Sequence, residues 1–203
     1  MKRVVKTNEE RRREIVATAR RLFIERGFAA VPVSAIVAEI GAAQGTFYYY
    51  FPTKEKVLDA IIEDYLQGLT SALDALAADP SLDPRSALER MTRAELGFDA
   101  ERGRELCSIE GGDAHTRLFS NVISSLAPRY ASIIMRGIAE GVFRTPDPDL
   151  IAETIILHVH FLFDREVLGW NQAEYKRRLD ASARLIDVLL SLPLKSLDFS
   201  LSA

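Results

Sequence analysis

The chain is poor in the residues that build metal centres, disulfides and redox sites. Its 203 residues include one cysteine, Cys107, and three histidines. A single cysteine excludes an intramolecular disulfide and a cysteine-built metal site, and it fits a reducing compartment. Cys107 reads as a small apolar filler, with a redox sensor as the sharper alternative. His158 and His160 stand two apart in a helical stretch, about 200° around the axis, so they cannot share a metal on one face. No metal and no cofactor is expected. Long apolar runs are also missing. The most apolar stretch, Thr154 to Phe163, contains both of those histidines and is too short to cross a bilayer. The N-terminus, MKRVVKTNEERRRE, has no apolar signal core, so a cytoplasmic protein with no membrane partner is expected. There is no nucleophile elbow, no phosphate loop, no internal repeat and no strand-like alternation. Glu110, Asp113 and His115 are the nearest thing to an acid/base cluster, and a loop explains them more simply. An enzyme with a helical active site is therefore the weaker reading.

What is present is unevenly placed. The net charge is −3, with 48% hydrophobic and 27% charged residues, ordinary values for a globular protein. Met1 to Lys56 carries eleven Lys/Arg against six Asp/Glu, a net of +5, and the remainder carries fifteen against twenty-three, a net of −8. A basic module on an acidic body is the pattern of a nucleic-acid binder. The most informative segment lies at the end of the basic part, GAAQGTFYYYFPTKEKVL from Gly41 to Leu58. Three consecutive tyrosines are hard to bury on one helix. They suit a helix laid on a phosphate backbone, where hydroxyls, lysines and helix N-termini are the usual donors.

Helix signals run throughout the chain. Thr7 and Glu10 form a capping-box pattern ahead of Ile15, Ala19, Leu22 and Phe23 on one face, and Gly27 is placed to end that helix. A short helix is expected from Pro32 to about Ile40, broken by Gly41. A third runs from about Ala43 to Tyr50, stopped by Phe51-Pro52. Thr53 can cap a fourth, long helix that carries apolar residues every three or four positions to Asp79-Pro80. Two helices joined by a glycine-containing turn, with another packed beneath, make a helix-turn-helix. The second of the pair must enter a major groove about 12 Å wide and still keep an apolar face, which Phe47 and Phe51 supply.

Over about Asn8 to Leu58 the chain resembles the TetR/AcrR family of bacterial transcription regulators. The residues that carry the resemblance are ATARRLFIERGFAAVPVSAIVAEIGAAQGTFYYYFPTKEKVLDAI. The resemblance implies an all-α fold with a helix-turn-helix DNA-binding domain over residues 1–55 and a helical ligand-binding and dimerisation domain over 56–203. It further implies a homodimer on a palindromic double-stranded operator, released by a small-molecule inducer. Carried onto this sequence, the DNA-binding residues are Ser34, Ala43, Gln44, Gly45, Thr46, Tyr48, Tyr49, Tyr50 and Lys54. Of the tyrosines, Tyr49 is expected to face DNA most directly, and Gly45 to let the backbone approach closely. Lys2, Arg3, Lys6 and Arg11 to Arg13 could add phosphate contacts. The sequence departs from the family at Ala42-Ala43-Gln44, where a basic residue is common, and at Val31-Pro32. Gln44 could read adenine in two hydrogen bonds. Since each neutralised phosphate adds about 0.9 to the magnitude of the log–log salt slope, Lys54→Ala should flatten that slope.

The C-terminal body reads as helices from Pro84 to about Gly103, Asp113 to Leu126, Pro128 to Gly141, Pro148 to about Leu168 and Gln172 to Leu192, making about nine in the chain. Asp83-Pro84 and Asp147-Pro148 look like cap and first-turn pairs. Phe98, Phe119, Met135, His158, Phe161 and Trp170 are the candidates for a pocket, which would suit an apolar inducer. The last two helices have wide apolar arcs. Ile151, Ile155, Val159, Leu162, Ile186, Leu189 and Leu190 are the candidates for a four-helix dimer interface. A constitutive DNA binder without a ligand is the alternative function.

Overall fold

The structure, a computed structural model, describes residues 7–98, 112–163 and 169–200. Those residues form eight α-helices and no strand. They are α1 (Asn8–Arg26), α2 (Val33–Glu39), α3 (Gln44–Tyr50), α4 (Lys54–Ala78), α5 (Pro84–Phe98), α6 (Gly112–Ala139), α7 (Pro148–Phe163) and α8 (Gln172–Leu189). The chain divides into two compact units. One is Met1–Tyr65 with Glu105–Asn121, and the other is Leu66–Arg104 with Val122–Ala203.

The local signals act where the sequence places them. Thr7 Oγ1 accepts the Glu10 N–H at 3.2 Å, and Glu10 Oε2 accepts the Thr7 N–H at 2.7 Å. This closes the capping box on α1. Gly41 sits at φ +61 in the turn from α2 to α3, a left-handed conformation that favours glycine. Thr53 Oγ1 accepts the Lys56 N–H at 3.3 Å at the start of α4. Asp83 Oδ1 accepts the N–H groups of Arg85 and Ser86 at 3.0 and 3.1 Å, and Asp147 Oδ1 accepts that of Leu150 at 3.0 Å. The Ser86 hydroxyl, with those backbone donors, holds the Asp83 carboxyl below its ordinary range. Asn171 caps α8 through the Glu174 N–H at 3.0 Å.

The expected break at Pro128 does not occur. Asp113–Leu126 and Pro128–Gly141 are one helix, α6, with Pro128 inside it. A proline in a helix removes one N–H and crowds the carbonyl one turn earlier, at a cost of about 3 kcal/mol. Arg129, the next residue, ties this helix to α4. Its guanidinium donates to the Ser125 carbonyl in that disturbed turn, and its Nε and Nη2 clasp Asp74 of α4 at 2.7 and 2.8 Å. Arg136 adds a second tie, donating to the carbonyls of Ala77 at 3.2 Å and Leu82 at 2.7 Å, where α4 ends.

In the first unit α1, α2 and α3 enclose Ile15, Ala19, Phe23, Ile36 and Phe47, all buried, with Val57, Ile61 and Ile62 of α4. In the second unit α7 packs against α5 and α8. The chain then folds back after α8. Asp187, fully buried, accepts the N–H groups of Ser196 and Leu197 at 3.1 Å each, and Phe199 is buried.

Candidate nucleic-acid interface

The helix-turn-helix is built so that α3 cannot stand alone. Seven residues are far below the length at which a helix persists in water. Phe47 fixes it: the ring is 0% exposed, edge-on to Tyr48 at 5.5 Å and tilted against Phe51 at 6.1 Å. With Phe47 turned inward, helical geometry turns the next two side chains outward. Tyr48 is 50% exposed and Tyr49 73%. Ala43, Gln44 and Gly45 are exposed at the head of the same helix, Thr46 is partly covered, and Ser34 is exposed on α2. These residues therefore come together on one solvent-facing surface of α3, apart from Ser34 on α2.

Two of the expected contact residues are also committed within the protein. Tyr50 is half-buried and donates its hydroxyl to Asn8 Oδ1 at 3.1 Å, while its ring meets Tyr49 edge-on at 4.9 Å. The end of α3 is thus tied to the start of α1. Lys54 Nζ donates to the carbonyls of Phe28 at 2.8 Å and Val31 at 3.1 Å, and lies 4.2 Å from the Phe28 ring centre. Two of the three ammonium N–H groups thus close the turn between α1 and α2, and a phosphate contact would use the third. Nothing in the sequence signalled either tie, since the partners are 42 and 26 or 23 residues apart.

Several arginines of this basic unit are paired: Arg11 with Glu14 at 2.7 Å, Arg13 with Glu9 at 2.9 Å, and Arg21 with Glu39 at 2.6 Å. Arg21 links α1 to α2, and its pairing with Glu39 and Glu25 raises its pKa. Arg12 instead lies over the Phe51 ring at 5.1 Å, beside the end of α3. Lys2, Arg3 and Lys6 lie outside the described residues.

Gly45 tests why the helix carries a glycine. A Cβ built there would meet nothing within 4 Å, so the protein's own packing does not require the missing side chain. Gly45→Ala should raise stability by about 0.5–1 kcal/mol through helix propensity, yet weaken DNA binding. Thermal melts and fluorescence anisotropy on one preparation read both signs. An alanine variant that binds duplex as tightly as the parent would remove the close-approach role.

The candidate pocket residues are spread over α5, α6, α7 and the segment before α8. Met135 is half-exposed on α6. Phe119 is partly covered. Trp170 lies beneath the Arg178 guanidinium at 3.6 Å. The side chains of Phe98 and Phe161, together with Cys107, Glu110, Asp113 and His115, lie outside the described residues. Among the described residues no three His, Cys, Asp or Glu side chains come together as a metal site, and no helix is long and apolar enough to cross a membrane.

His158 works inside the α7–α8 packing. Ser182 donates its hydroxyl to the Arg178 carbonyl at 2.8 Å, so His158 Nε2 donates to Ser182 Oγ at 2.7 Å. Burial lowers the His158 pKa below 6.5. The unfolded chain therefore takes up the proton first. The stability tied to this group is full above pH 6.5 and falls as the pH drops below it. Melting temperature should fall from about pH 7.5 to about pH 5.5, and His158→Gln should flatten part of that fall. An unchanged profile would remove the histidine from it.

Four of the expected dimer residues are covered within the single chain. Ile155, Val159, Ile186 and Leu190 are buried where α7 packs against α8 and α5. Ile151 and Leu189 are partly covered, and the Leu162 side chain lies outside the described residues. Among the described residues, the exposed large apolar side chains of this pair are Leu150, Leu185 at 43% and Val188 at 61%.

A short second helix held down by one buried phenylalanine, with its tyrosines facing out, defines a helix-turn-helix protein carrying a helical body. The profile described as "Bacterial regulatory proteins, tetR family" matches residues 15–61, and that of "Tetracyclin repressor-like, C-terminal domain" matches residues 101–184. The HTH-type transcriptional regulator EthR of Mycolicibacterium smegmatis is 33% identical over 84 residues, 41% of this chain and 39% of that protein. The HTH-type transcriptional repressor KstR2 of Rhodococcus jostii is 28% identical over 142 residues, 66% of this chain and 69% of that one. Among solved structures, RolR in complex with resorcinol has a TM-score of 0.62 at 24% identity, covering 92% of this chain and 95% of that chain. The aligned part spans about two fifths of the length of EthR. The chain belongs to the TetR family of bacterial transcription regulators.

Proposed function

We propose that this chain is a ligand-responsive repressor that binds a palindromic double-stranded operator as a homodimer and leaves it when a small apolar inducer binds. The observation that carries the reading is the outward pair Tyr48 and Tyr49 on a helix anchored by a fully buried Phe47. Each tyrosine offers a rigid apolar body and a hydroxyl donor to the backbone, which positions the helix. Gln44 is the base-reading residue, and Ala43, Gly45 and Thr46 keep that end of the helix slim. Ser34 and Lys54 take phosphates, and Tyr50 sets the angle of α3 against α1. This work falls to residues 1–55, and residues 56–203 carry the ligand and the dimer contact. The dimer seam uses Leu185 and Val188 of α8, with Ile151 and Leu189 behind them. The protein is not an enzyme, needs no cofactor, and acts in the cytoplasm where its operator lies.

KstR2 is named a repressor, and RolR was solved holding resorcinol. Both support a repressor that answers to a small molecule. The test is retention of a duplex from the gene's own upstream region, by anisotropy, against a scrambled duplex of equal length. Equal binding to both would overturn operator recognition, and turnover of a substrate without DNA binding would favour an enzyme. Gln44→Ala should bind the scrambled duplex unchanged and lose about 1–3 kcal/mol of discrimination at one adenine of each half-site. A uniform loss on all sequences would move Gln44 to the phosphates.

A further inference from the structure

The recognition helix α3 is held at both ends of its short length. Phe47 anchors its inner face in the core. The hold at its far end comes from α1. Asn8 and Arg12 stand four residues apart, hence on one face of α1. They meet consecutive residues where α3 stops. Asn8 Oδ1 accepts the Tyr50 hydroxyl at 3.1 Å, and the Arg12 guanidinium lies 5.1 Å from the Phe51 ring centre. Asn8 is itself firmly placed, because the capping box of Thr7 and Glu10 fixes the first turn of α1, where it stands.

The hold reaches one residue further. The Tyr50 ring stands edge-on to Tyr49, with centroids 4.9 Å apart and planes at 90°. That is a favoured geometry for two aromatic rings. Tyr49 is 73% exposed and lies on the surface that would meet DNA. A side chain so exposed keeps its rotamers open unless a neighbour restricts it, and ordering it on binding weakens affinity. Tyr50 restricts Tyr49, and Asn8 restricts Tyr50. Asn8 thus heads a relay that ends on the DNA face, although it stands outside the helix-turn-helix itself. A phosphate contact by Asn8 is disfavoured, since Glu9 and Glu10 occupy the same first turn and already answer the positive end of the helix dipole.

We propose that Asn8 is a positioning residue for DNA binding: through Tyr50 it holds the Tyr49 ring at the angle in which that ring meets the operator, without touching DNA itself. The inference rests on the operator reading above and adds to it a residue of α1.

Asn8→Ala and Tyr50→Phe break the same bond from its two sides. The bond is exposed, so melting temperatures should stay close to that of the parent. Each substitution should weaken operator binding about threefold to tenfold by fluorescence anisotropy. The two together should weaken it no more than either alone. In a Tyr49→Ala background, neither should cost anything further. The log–log salt slope should equal that of the parent, because no phosphate contact is lost. Tyr50→Phe carries the test if Asn8→Ala does not fold. Operator binding as tight as the parent's, losses that add, or a loss that persists without Tyr49 overturns the proposal. So does a slope smaller by about 0.9 in magnitude, which assigns Asn8 to a phosphate. A scrambled duplex of equal length is measured beside the operator. A parent that binds both equally ends the operator reading and this inference with it. A parent that selects the operator, beside an Asn8→Ala variant that binds it as tightly, ends this inference alone.

Discussion

Phe47→Ala should cost the chain about 3–5 kcal/mol and abolish specific DNA binding. The ring is fully buried, so the substitution removes both its transfer energy and the contacts of the cavity it leaves. The effect on function is larger than the number suggests. α3 is seven residues long and has no side-chain cap at Ala43, so neither length nor capping holds it. Its helical state depends on Phe47 joining it to Phe51 and to the α1–α2 core. Once that anchor goes, Tyr48 and Tyr49 lose their common orientation before the rest of the protein melts. Phe47→Leu, closer in volume, should cost less than about 1.5 kcal/mol and keep operator binding. Urea denaturation and anisotropy on both variants check this. If Phe47→Ala binds the operator like the parent, α3 is held by something else.

The same contrast between local and distant causes explains what the sequence disclosed. The capping box at Thr7 and Glu10, the cap pairs at Asp83-Pro84 and Asp147-Pro148 and the Phe51-Pro52 stop all act within three or four residues, and each lies where the sequence shows it. Pro128 misled because a proline's cost is local, whereas Arg129 beside it ties the helix to Asp74, 55 residues away. The second unit was harder for a related reason. Apolar periodicity shows that Ile155, Val159, Ile186 and Leu190 face something apolar. It does not say whether that is the same chain or another copy. The fold-back of the tail onto Asp187 supplies cover that no pattern announces.

The nucleic-acid surface divides in the same way. The outward turn of Tyr48 and Tyr49 follows from Phe47 and helical geometry, and was legible. The ties that hold the surface in place, Tyr50 to Asn8 and Lys54 to two carbonyls, join segments far apart in sequence and were not.

Lys54→Ala should lower the stability of the protein by about 2–3 kcal/mol and weaken binding to every DNA sequence alike. Two carbonyls of the Phe28–Val31 turn lose a charged donor together, and the ammonium leaves the Phe28 ring. That turn sets where α2, and through it α3, starts, so the damage reaches the tyrosines without touching them. Lys54→Met keeps most of the apolar stem and should lose only the part owed to the donors. The salt dependence separates the two roles of the residue. Measured well below the melting transition, a slope smaller by about 0.9 in magnitude assigns a phosphate to the third N–H group. An unchanged slope with the same loss of affinity assigns Lys54 to positioning alone. Variants as stable as the parent would overturn the clamp itself, since no other described contact joins the head of α4 to both carbonyls.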